Sequence, residues 1–317
     1  MNSPDISIIY RALNEDKFFE KSIIACKKQL LDDLTYEIIL VDSGSTDRTL
    51  EIAEKYNCRI IHIPRHKFSF GRSLNWGCEA ALGKHLVFIS AHCIPAHNKW
   101  LINLLTPILE NKVHYAYGSQ IGSDESKFSE KQLFAKYFPS ANQIPQDGFF
   151  VNNANSAITQ HDWTKFRFDE HVTGLEDMVL GKRLIEEGRK IGYVADAPVI
   201  HIHEETMDQT KRRYYREALT LRTVMPDVHM NFKDFLRYLW IGILNDFKEA
   251  KKQKVLNNKA LEIVLFRTMQ FWGAYKGHNE NRKLSREQKE AYYYPKIIKN
   301  SNLKKNLNLT KTKTSTK

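Results

Sequence analysis

Short apolar runs alternate with segments of helical periodicity over the first hundred residues. Residues 6–10, 38–41 and 86–89 are almost wholly apolar, as is typical of strands buried on both faces of a parallel sheet. Residues 14–30 carry apolar side chains at helical spacing, and residues 71–82 predict another helix. This alternation predicts βαβ units, and therefore an α/β fold in which a mainly parallel sheet has helices on both faces.

The pattern changes further along the chain. After residue 115 it predicts a strand, a helix and two short strands, over residues 116–121, 176–187, 190–194 and 199–202. Beyond about Met207 the sequence is amphipathic and helical. We therefore predict an α/β domain over residues 1–228, a helical C-terminal extension over residues 229–300 and a disordered basic tail over residues 301–317.

The positive charge of the chain is concentrated at its C-terminal end. The whole sequence has a net charge of +11, and residues 281–317 hold eleven Lys and Arg against two Glu, which is +9 of that total. Such a basic end either binds an anionic membrane surface or stays solvated. No nucleic-acid recognition module accompanies the charge, so nucleic acid is not expected as a partner.

The composition favours a cytoplasmic protein. The chain is 42% hydrophobic, and charges interrupt its apolar stretches well short of the ~18 residues that a transmembrane helix needs. The first predicted strand begins at residue 6, without a secretory leader before it. The four cysteines lack CxxC spacing, which favours a reducing compartment. We expect a cytoplasmic location, either free or peripheral on the inner face of the membrane.

The most informative segment is EIILVDSGSTDRTL, residues 37–50. A buried strand ends in Asp42, small polar residues follow, and a helix begins near Asp47. This arrangement predicts a nucleotide-binding crevice at the carboxyl end of the sheet. The absence of a GxGxxG run argues against a dinucleotide. The alternative interpretation is an ordinary strand-to-helix turn with Ser45 or Thr46 as the N-cap.

Four further motifs combine residue types that suit phosphate, sugar or metal chemistry. They are Ser90-Ala91-His92 after a strand, Asn152-Asn153-Ala154-Asn155-Ser156, Glu176-Asp177 at the start of a helix, and His201-Ile202-His203 after a strand. The period-two spacing of the last two histidines puts both imidazoles on one side of a strand. Each motif also has a structural interpretation, because asparagines favour turns, acids favour helix N-termini and histidines often lie on exposed strands.

The order and spacing of these motifs resemble the family 2 glycosyltransferases, whose GT-A fold is a nucleotide-sugar domain of roughly two hundred residues. The resemblance spans about residues 6–222, and the segment HIHEET…KRRYYREAL is similar to rhamnosyl- and capsule-type transferases. It implies that residues 1–228 form a catalytic domain that uses a nucleotide-sugar donor. By resemblance, the donor lies at Tyr10, Arg11, Asn14, Glu15, Asp42, Ser43, Asp47, Arg72, Ser90, His92 and Asn155.

One motif departs from the family pattern. Family members hold a divalent cation on the donor diphosphate with an Asp-x-Asp motif, and the matching positions here are Ser90-Ala91-His92. Imidazole is a poor ligand for Mg²⁺. In one interpretation His92, with His201 or His203, binds a divalent cation, Mn²⁺ or Mg²⁺, of which the softer Mn²⁺ suits imidazole better. In the other, cations of the preceding segment, including Arg72, neutralise the diphosphate without a metal.

The resemblance implies an inverting glycosyltransferase of the hexosyl or deoxyhexosyl class, acting on a saccharide or lipid-linked saccharide in surface-glycan synthesis. Asp177 is the expected base for the acceptor hydroxyl, and Glu176 is expected to bind or orient the acceptor. Two alternatives stay open. One is a nucleotide-sugar-binding protein that has lost catalysis. The other is a nucleotidyltransferase, although residues 8–14 lack the glycine-rich phosphate loop of that class.

Two aromatic-rich segments mark the helical extension, at residues 232–247 and 261–275. Three fates are open to them: packing on the α/β domain, a dimer interface, or a position on a bilayer surface with Trp240 and Trp272 at the interface. Packing is the commonest fate of such segments. The basic tail that follows adds weight to membrane contact.

Overall fold

A computed structural model of the chain describes residues 3–31 and 33–280. The strands are β1 (Ile6–Ala12), β2 (Tyr36–Asp42), β3 (Arg59–His62), β4 (His85–Ser90), β5 (Cys93–Pro95), β6 (Tyr115–Gly122), β7 (Asn155–Thr159) and β8 (Ile191–His201). The helices are α1 (Asp16–Lys27), α2 (Thr49–Lys55), α3 (Phe70–Ala80), α4 (Trp100–Leu109), α5 (Phe128–Tyr137), α6 (Gln160–Phe166), α7 (Glu176–Glu186), α8 (Met207–Val224), α9 (Phe232–Lys252) and α10 (Leu256–His278). The predicted alternation of strands and helices is confirmed for the first hundred residues.

The eight strands form one sheet in the order β3-β2-β1-β4-β7-β6-β8-β5. β1 pairs in parallel with β2 and with β4, β2 pairs in parallel with β3, and β6 pairs in parallel with β8. β7 runs antiparallel between β4 and β6, and β5 lies antiparallel to β8 at the edge. The first half of the sheet is therefore parallel, as predicted, and β5 and β7 make the second half mixed.

Helices cover both faces of this sheet. In β1, Ile8 and Tyr10 pack in one apolar cluster with Phe19 of α1, whereas Ile9 packs in a second cluster with Leu74 of α3. The first cluster also takes in α2 and α4, and the second takes in α6 and α7. Because successive strand residues face opposite sides, this double burial explains the unbroken apolar runs of the sequence.

The two short strands predicted over residues 190–194 and 199–202 are one strand, β8. It pairs with β6 on both sides of an irregularity between Gly118 and Gln120. A bulge of this kind keeps two segments in one ladder while it interrupts the alternation of side chains. The pairing across the sheet, and not the local pattern, therefore makes the strand continuous.

The C-terminal helices α8, α9 and α10 pack on one another. Two glycines of α10 lie directly against the backbone of α8: an added Cβ would be 2.3 Å from the Lys211 carbonyl oxygen at Gly273 and 2.4 Å from the Tyr215 carbonyl oxygen at Gly277. A buried ion pair joins α9 to α10, with Nε and Nη2 of Arg267 each 2.7 Å from an oxygen of Asp246. Packing is thus the fate of α10 and of one side of α9.

Contacts group the chain up to Asn279 in one compact unit. The predicted domain boundary at residue 228 stays a prediction, and the predicted tail over residues 301–317 lies outside the described residues. Among the helices of the described part, none has the length and apolar character that a membrane crossing requires. All four cysteines are buried and unbridged.

Candidate functional site

Three parallel strands end side by side, and the loops that follow them form the candidate site. Asp42, the last residue of β2, is buried. Its Oδ2 accepts a hydrogen bond from the Gly44 N–H at 2.9 Å, and its Oδ1 accepts one from the Ser45 N–H at 3.0 Å. Both carboxylate oxygens are therefore used to shape the turn after β2.

Side chains tie the β1–α1 loop to the β2–α2 loop. Asn14 has a left-handed φ of 58°, and its Oδ1 accepts a hydrogen bond from the Thr46 N–H at 2.8 Å. Asp47 accepts hydrogen bonds from the Asp16 N–H at 3.1 Å and from the Thr49 hydroxyl at 2.6 Å. Burial opposes ionisation of Asp47, but these hydrogen bonds outweigh it and lower its pKa. The structure thus brings the predicted Asn14 and Asp47 to one pair of loops.

Three predicted donor-binding residues are placed differently. Tyr10 is fully buried under α1, with its hydroxyl 2.8 Å from the Ser22 hydroxyl. Asn155 is fully buried: its Oδ1 accepts from the indole N–H of Trp100 at 2.9 Å, and its amide donates to two backbone carbonyls. The Ser43 hydroxyl donates to a backbone carbonyl of β1 at 3.2 Å. Because their polar groups are satisfied inside the protein, these residues stabilise the fold and do not face the candidate site.

Arg11 connects the end of β1 to the acidic pair. Its Nη1 is 3.1 Å from Glu176 Oε1 and also donates to the Phe70 carbonyl oxygen at 3.1 Å. The guanidinium carbon of Arg11 lies 4.5 Å from the centre of the Phe70 ring, and that of Arg216 lies 4.7 Å from the same ring. Within the described residues, the buried Nε of Arg216 has no hydrogen-bond partner. Two cations therefore flank one aromatic ring beside the acidic pair.

Asp177 lies in the first turn of α7, and only 8% of it is exposed. Its Oδ2 accepts a hydrogen bond from the Asn153 N–H at 2.9 Å, and its Oδ1 accepts one from the Met178 N–H at 2.8 Å. Burial, reinforced by the negative charge of Glu176, raises the pKa of Asp177 to about 7. A carboxylate with such a pKa takes up a proton much more readily than an ordinary aspartate, which is the property of a general base.

His92, His201 and His203 converge on one point. One ligand atom from each lies within 4.8 Å of the other two. The rings of His201 and His203 have centroids 4.0 Å apart, and His92 stacks on His201 at 5.1 Å. His203 lies beyond the end of β8, so the loop after the strand brings the last two rings together, and the predicted strand alternation does not.

Each of these histidines has an oxygen partner at Nδ1. The pairs are His92 with Glu15 Oε1 at 3.2 Å, His201 with Gln120 Oε1 at 2.6 Å, and His203 with Glu130 Oε1 at 2.8 Å. A tautomer with the proton on Nδ1 satisfies these contacts and leaves a lone pair on each Nε2. The buried Nε2 of His201 has no hydrogen-bond partner in the described parts of the chain. Three converging imidazoles, each with an oxygen partner at Nδ1, fit a divalent metal ion.

The protonation of the three rings differs. Burial lowers the pKa of His201 well below its usual value and also lowers that of His203. Burial opposes protonation of His92 as well, but the Glu15 carboxylate outweighs it and raises the pKa of His92. His201 and His203 are therefore neutral at pH 7, which is the form of imidazole that binds metals.

Ser90 and Arg72 are the two remaining residues of the predicted donor site. Ser90 ends β4 and is paired in register with Arg11. Arg72 makes an ion pair with Glu170, with Nε and Oε2 2.6 Å apart. Arg65, from the same basic segment, donates to a carbonyl oxygen of the turn after β2 at 3.0 Å. Arg72 is thus already paired with the Glu170 carboxylate, and this pairing weakens the prediction that Arg72 binds phosphate.

The sequence did not reveal the residues that stand behind the histidines. Gln120 and Glu130 are 81 and 73 positions away from the histidines they contact. The ring of Phe134 stacks on His201 and His203 with centroid distances of 5.7 and 6.2 Å. No local spacing links these residues. One local signal was the pair of buried polar residues, Ser119 and Gln120, near the end of β6.

Comparison with known proteins identifies relatives of this chain. Two curated relatives are O-antigen chain rhamnosyltransferases. WbaN of Salmonella anatum is 29% identical over 192 residues, which are 56% of this chain and 60% of the relative. RfbN of Salmonella typhimurium is 23% identical over 223 residues, which are 66% of this chain and 70% of the relative. The chain therefore spans about 60% of the length of the first of these relatives.

Solved structures show the same fold. The mannosyltransferase PcManGT from Pyrobaculum calidifontis, in complex with GDP-Man and Mn²⁺, has a TM-score of 0.61 at 14% identity over 89% of both chains. Glucosyl-3-phosphoglycerate synthase from Mycobacterium tuberculosis, in complex with Mn²⁺, UDP and phosphoglyceric acid, has a TM-score of 0.53 at 22% identity over 70% of this chain and 79% of that one. The fold is therefore GT-A, as the sequence resemblance implied.

The family model described as glycosyl transferase family 2 matches residues 7–165. The matched segment is half of the chain and includes the turn after β2, the Ser90-Ala91-His92 motif and strands β1 to β7. This chain belongs to glycosyl transferase family 2.

Proposed function

We propose that this protein is an inverting glycosyltransferase that moves a hexosyl or deoxyhexosyl group from a nucleoside diphosphate sugar to a saccharide hydroxyl. The observation that carries this proposal is the position of Arg11 between two chemically different groups. Its side chain contacts Glu176, and its charge acts on the pKa of both Asp177 and His92. The end of the site at Asp177 suits a proton acceptor, and the end at His92 suits a diphosphate.

In the proposed reaction Asp177 acts as the base. The acceptor oxygen forms a bond to the anomeric carbon of the donor sugar while its proton passes to the Asp177 carboxylate. The bond between the anomeric carbon and the phosphate oxygen breaks, and the nucleoside diphosphate leaves with the electron pair. Attack opposite the leaving group inverts the anomeric configuration and needs one carboxylate base. Glu176, held by Arg11, orients the acceptor in this proposal.

The three histidines hold the donor diphosphate through a divalent cation in this proposal. The unpartnered Nε2 of His201 and the oxygen partners at each Nδ1 support it. Imidazole nitrogens favour Zn²⁺ and transition metals over Mg²⁺, and diphosphate oxygens supply the hard ligands that Mn²⁺ prefers. A cation bound there would supply positive charge next to the leaving diphosphate.

The nucleotide lies against the linked β1–α1 and β2–α2 loops in this proposal. Asn14 and Asp47 join these loops, and Glu15 borders the histidines. Asp42 acts through the turn that it shapes, because both of its oxygens are already engaged.

A surface glycan is the acceptor class that we propose, as a saccharide or a lipid-linked saccharide at the cytoplasmic face of the membrane. The support is that two relatives are named O-antigen chain rhamnosyltransferases. The same names favour a deoxyhexose as the transferred group.

Nucleoside diphosphates test the donor site directly. We expect one of UDP, dTDP and GDP to raise the melting temperature in the presence of Mn²⁺, and EDTA to abolish the rise. A ligand at one hundred times its dissociation constant stabilises the folded state by about 2.7 kcal/mol. Adenosine monophosphate is the control. A lack of response to every nucleotide would contradict the proposal, and pyrophosphate release from a nucleoside triphosphate would indicate a nucleotidyltransferase instead.

Arg11→Gln is expected to move the acidic limb of the kcat–pH profile to higher pH. The positive charge of Arg11 lowers the pKa of Asp177, so its removal makes the base harder to deprotonate. The variant should lose more activity at pH 6.5 than at pH 8.5, and Arg11→Lys, which keeps the charge, should keep the profile near that of the wild type. An unchanged profile in Arg11→Gln would show that another group sets the acidic limb.

A further inference from the structure

The outward side of α9 carries a row of large apolar side chains. Phe232, Leu236, Trp240 and Leu244 recur every four residues and so lie along one side of the helix. They are 52%, 39%, 61% and 60% exposed. We call these four residues the outer row of α9.

Burial of the opposite side already anchors this helix. Phe235, Ile243 and Ala250 are buried, and Asp246 makes the buried ion pair with Arg267 of α10. The capping box of Asn231 and Asp234 also fixes the start of the helix. The outer row is therefore a fixed surface feature, and of its four members Phe232 also contacts Tyr275 of α10, with ring centroids 5.8 Å apart.

The exposed charges of α9 have one sign. Every exposed charged residue of α9, all of which the structure describes, is basic, and the three acids of the helix are buried or half-buried. The exposed basic residues are Lys233, Arg237, Lys248, Lys251 and Lys252. The sequence of residues 281–317 adds a further net charge of +9. An apolar row with basic neighbours is the pattern of a helix that lies in a membrane interface.

We propose that the outer row of α9 docks the protein on the surface of a bilayer that contains anionic phospholipid. Stable peripheral binding needs two signals, and the apolar row and the basic residues supply both. A second copy of the chain fits this surface less well. A symmetric contact through the outer row would bring together two helix surfaces whose exposed charged residues are all basic, with no exposed acid of α9 to pair with them. The proposal does not depend on the reaction proposed above.

Co-sedimentation of the full chain with lipid vesicles tests the proposal. We expect binding to vesicles that contain phosphatidylglycerol at low salt, weaker binding at high salt, and little binding to vesicles of phosphatidylcholine alone. The double variants Trp240→Ser with Leu244→Ser, and Lys233→Glu with Arg237→Glu, should each bind about tenfold more weakly or worse.

The controls make comparable apolar-to-polar and charge-reversing changes at exposed positions outside α9. Leu30→Ser with Leu82→Ser removes two leucines that are 53% and 55% exposed outside α9. Lys28→Glu with Lys99→Glu makes the same change of net charge at exposed positions. Both controls should bind like the wild type, and melting curves verify that every variant is folded.

Three results would overturn the proposal. One is binding of both α9 variants at the wild-type level. A second is a lipid-free dimer, seen by analytical ultracentrifugation, that the Trp240→Ser, Leu244→Ser variant dissociates, because the outer row would then be a contact between copies. Binding lost equally in the lysine control and in the Lys233→Glu, Arg237→Glu variant would assign the attraction to net charge and also count against α9.

Discussion

Asp177→Asn is expected to lower kcat about 10²–10⁴-fold, the usual contribution of a general base. The amide has nearly the shape of the carboxylate, so it keeps one of the two backbone hydrogen bonds at the start of α7, but it cannot take a proton. Stabilisation by the donor nucleotide should persist, because Asp177 acts on the acceptor in the proposed reaction. Near-full transfer by the variant would exclude Asp177 as the base.

The same variant should change the pH dependence of stability. The folded pKa of Asp177 is about 7, above its ordinary value of 3.8, so its contribution to stability is fully present below pH 3.8 and is lost as the pH rises towards 7. The Asp177→Asn variant has no ionisable group at this position, so it does not lose this contribution to stability as the pH rises. The melting temperature of the variant relative to the wild type should therefore rise between pH 5 and pH 8, by the equivalent of about 2–3 kcal/mol. A difference that stays flat with pH would show that Asp177 ionises normally in the folded protein.

Glu176→Gln separates the two carboxylates. The charge of Glu176 raises the pKa of Asp177, so its removal should move the acidic limb of the kcat–pH profile to lower pH, opposite to the effect of Arg11→Gln. Its loss of kcat should be smaller than that of Asp177→Asn. A larger loss of kcat in Glu176→Gln than in Asp177→Asn would identify Glu176 as the base.

His201→Ala is expected to weaken divalent metal binding about 100-fold or more. The substitution removes one of three converging imidazoles, and it is the one whose Nε2 is buried without a partner in the described residues. Calorimetry of the full chain measures the affinity directly. Zn²⁺ should bind more tightly than Mn²⁺, and Mg²⁺ most weakly, since imidazole ligands follow that order. Transfer activity in Mn²⁺ should fall with the affinity.

Two further variants control for this result. His161→Ala removes an exposed histidine outside the cluster and should leave metal binding unchanged. Glu130→Gln removes the carboxylate behind His203 and should weaken binding about 10–100-fold, which is typical for the partner of a metal-bound histidine. If His201→Ala binds metal like the wild type, and EDTA leaves nucleotide stabilisation intact, then cations of the chain neutralise the diphosphate.

The local sequence pattern was sufficient to predict the strands that are buried on both faces and the helix that begins at the acidic pair Glu176-Asp177. The apolar runs of β1, β2 and β4 predicted strands because each strand packs between helices on both sides of the sheet. The helix predicted over residues 176–187 is α7, Glu176–Glu186. The pattern did not predict α4, α5, β5 or β7, and it divided β8 at its bulge, because these elements depend on partners far away in the chain.

The sequence by itself determined the fold class, the family resemblance and the residue types of the candidate site. Those features depend on periodicity and on short motifs at the ends of strands, and both are local. Only the tertiary structure decided which side chains face the site. Tyr10 and Asn155 lie in the core, where their polar groups are hydrogen-bonded. Arg11 pairs with Glu176. Gln120 and Glu130 contact the Nδ1 atoms of His201 and His203. The pKa of Asp177 likewise depends on burial and on neighbours brought together by folding, and a residue's position in the sequence specifies neither.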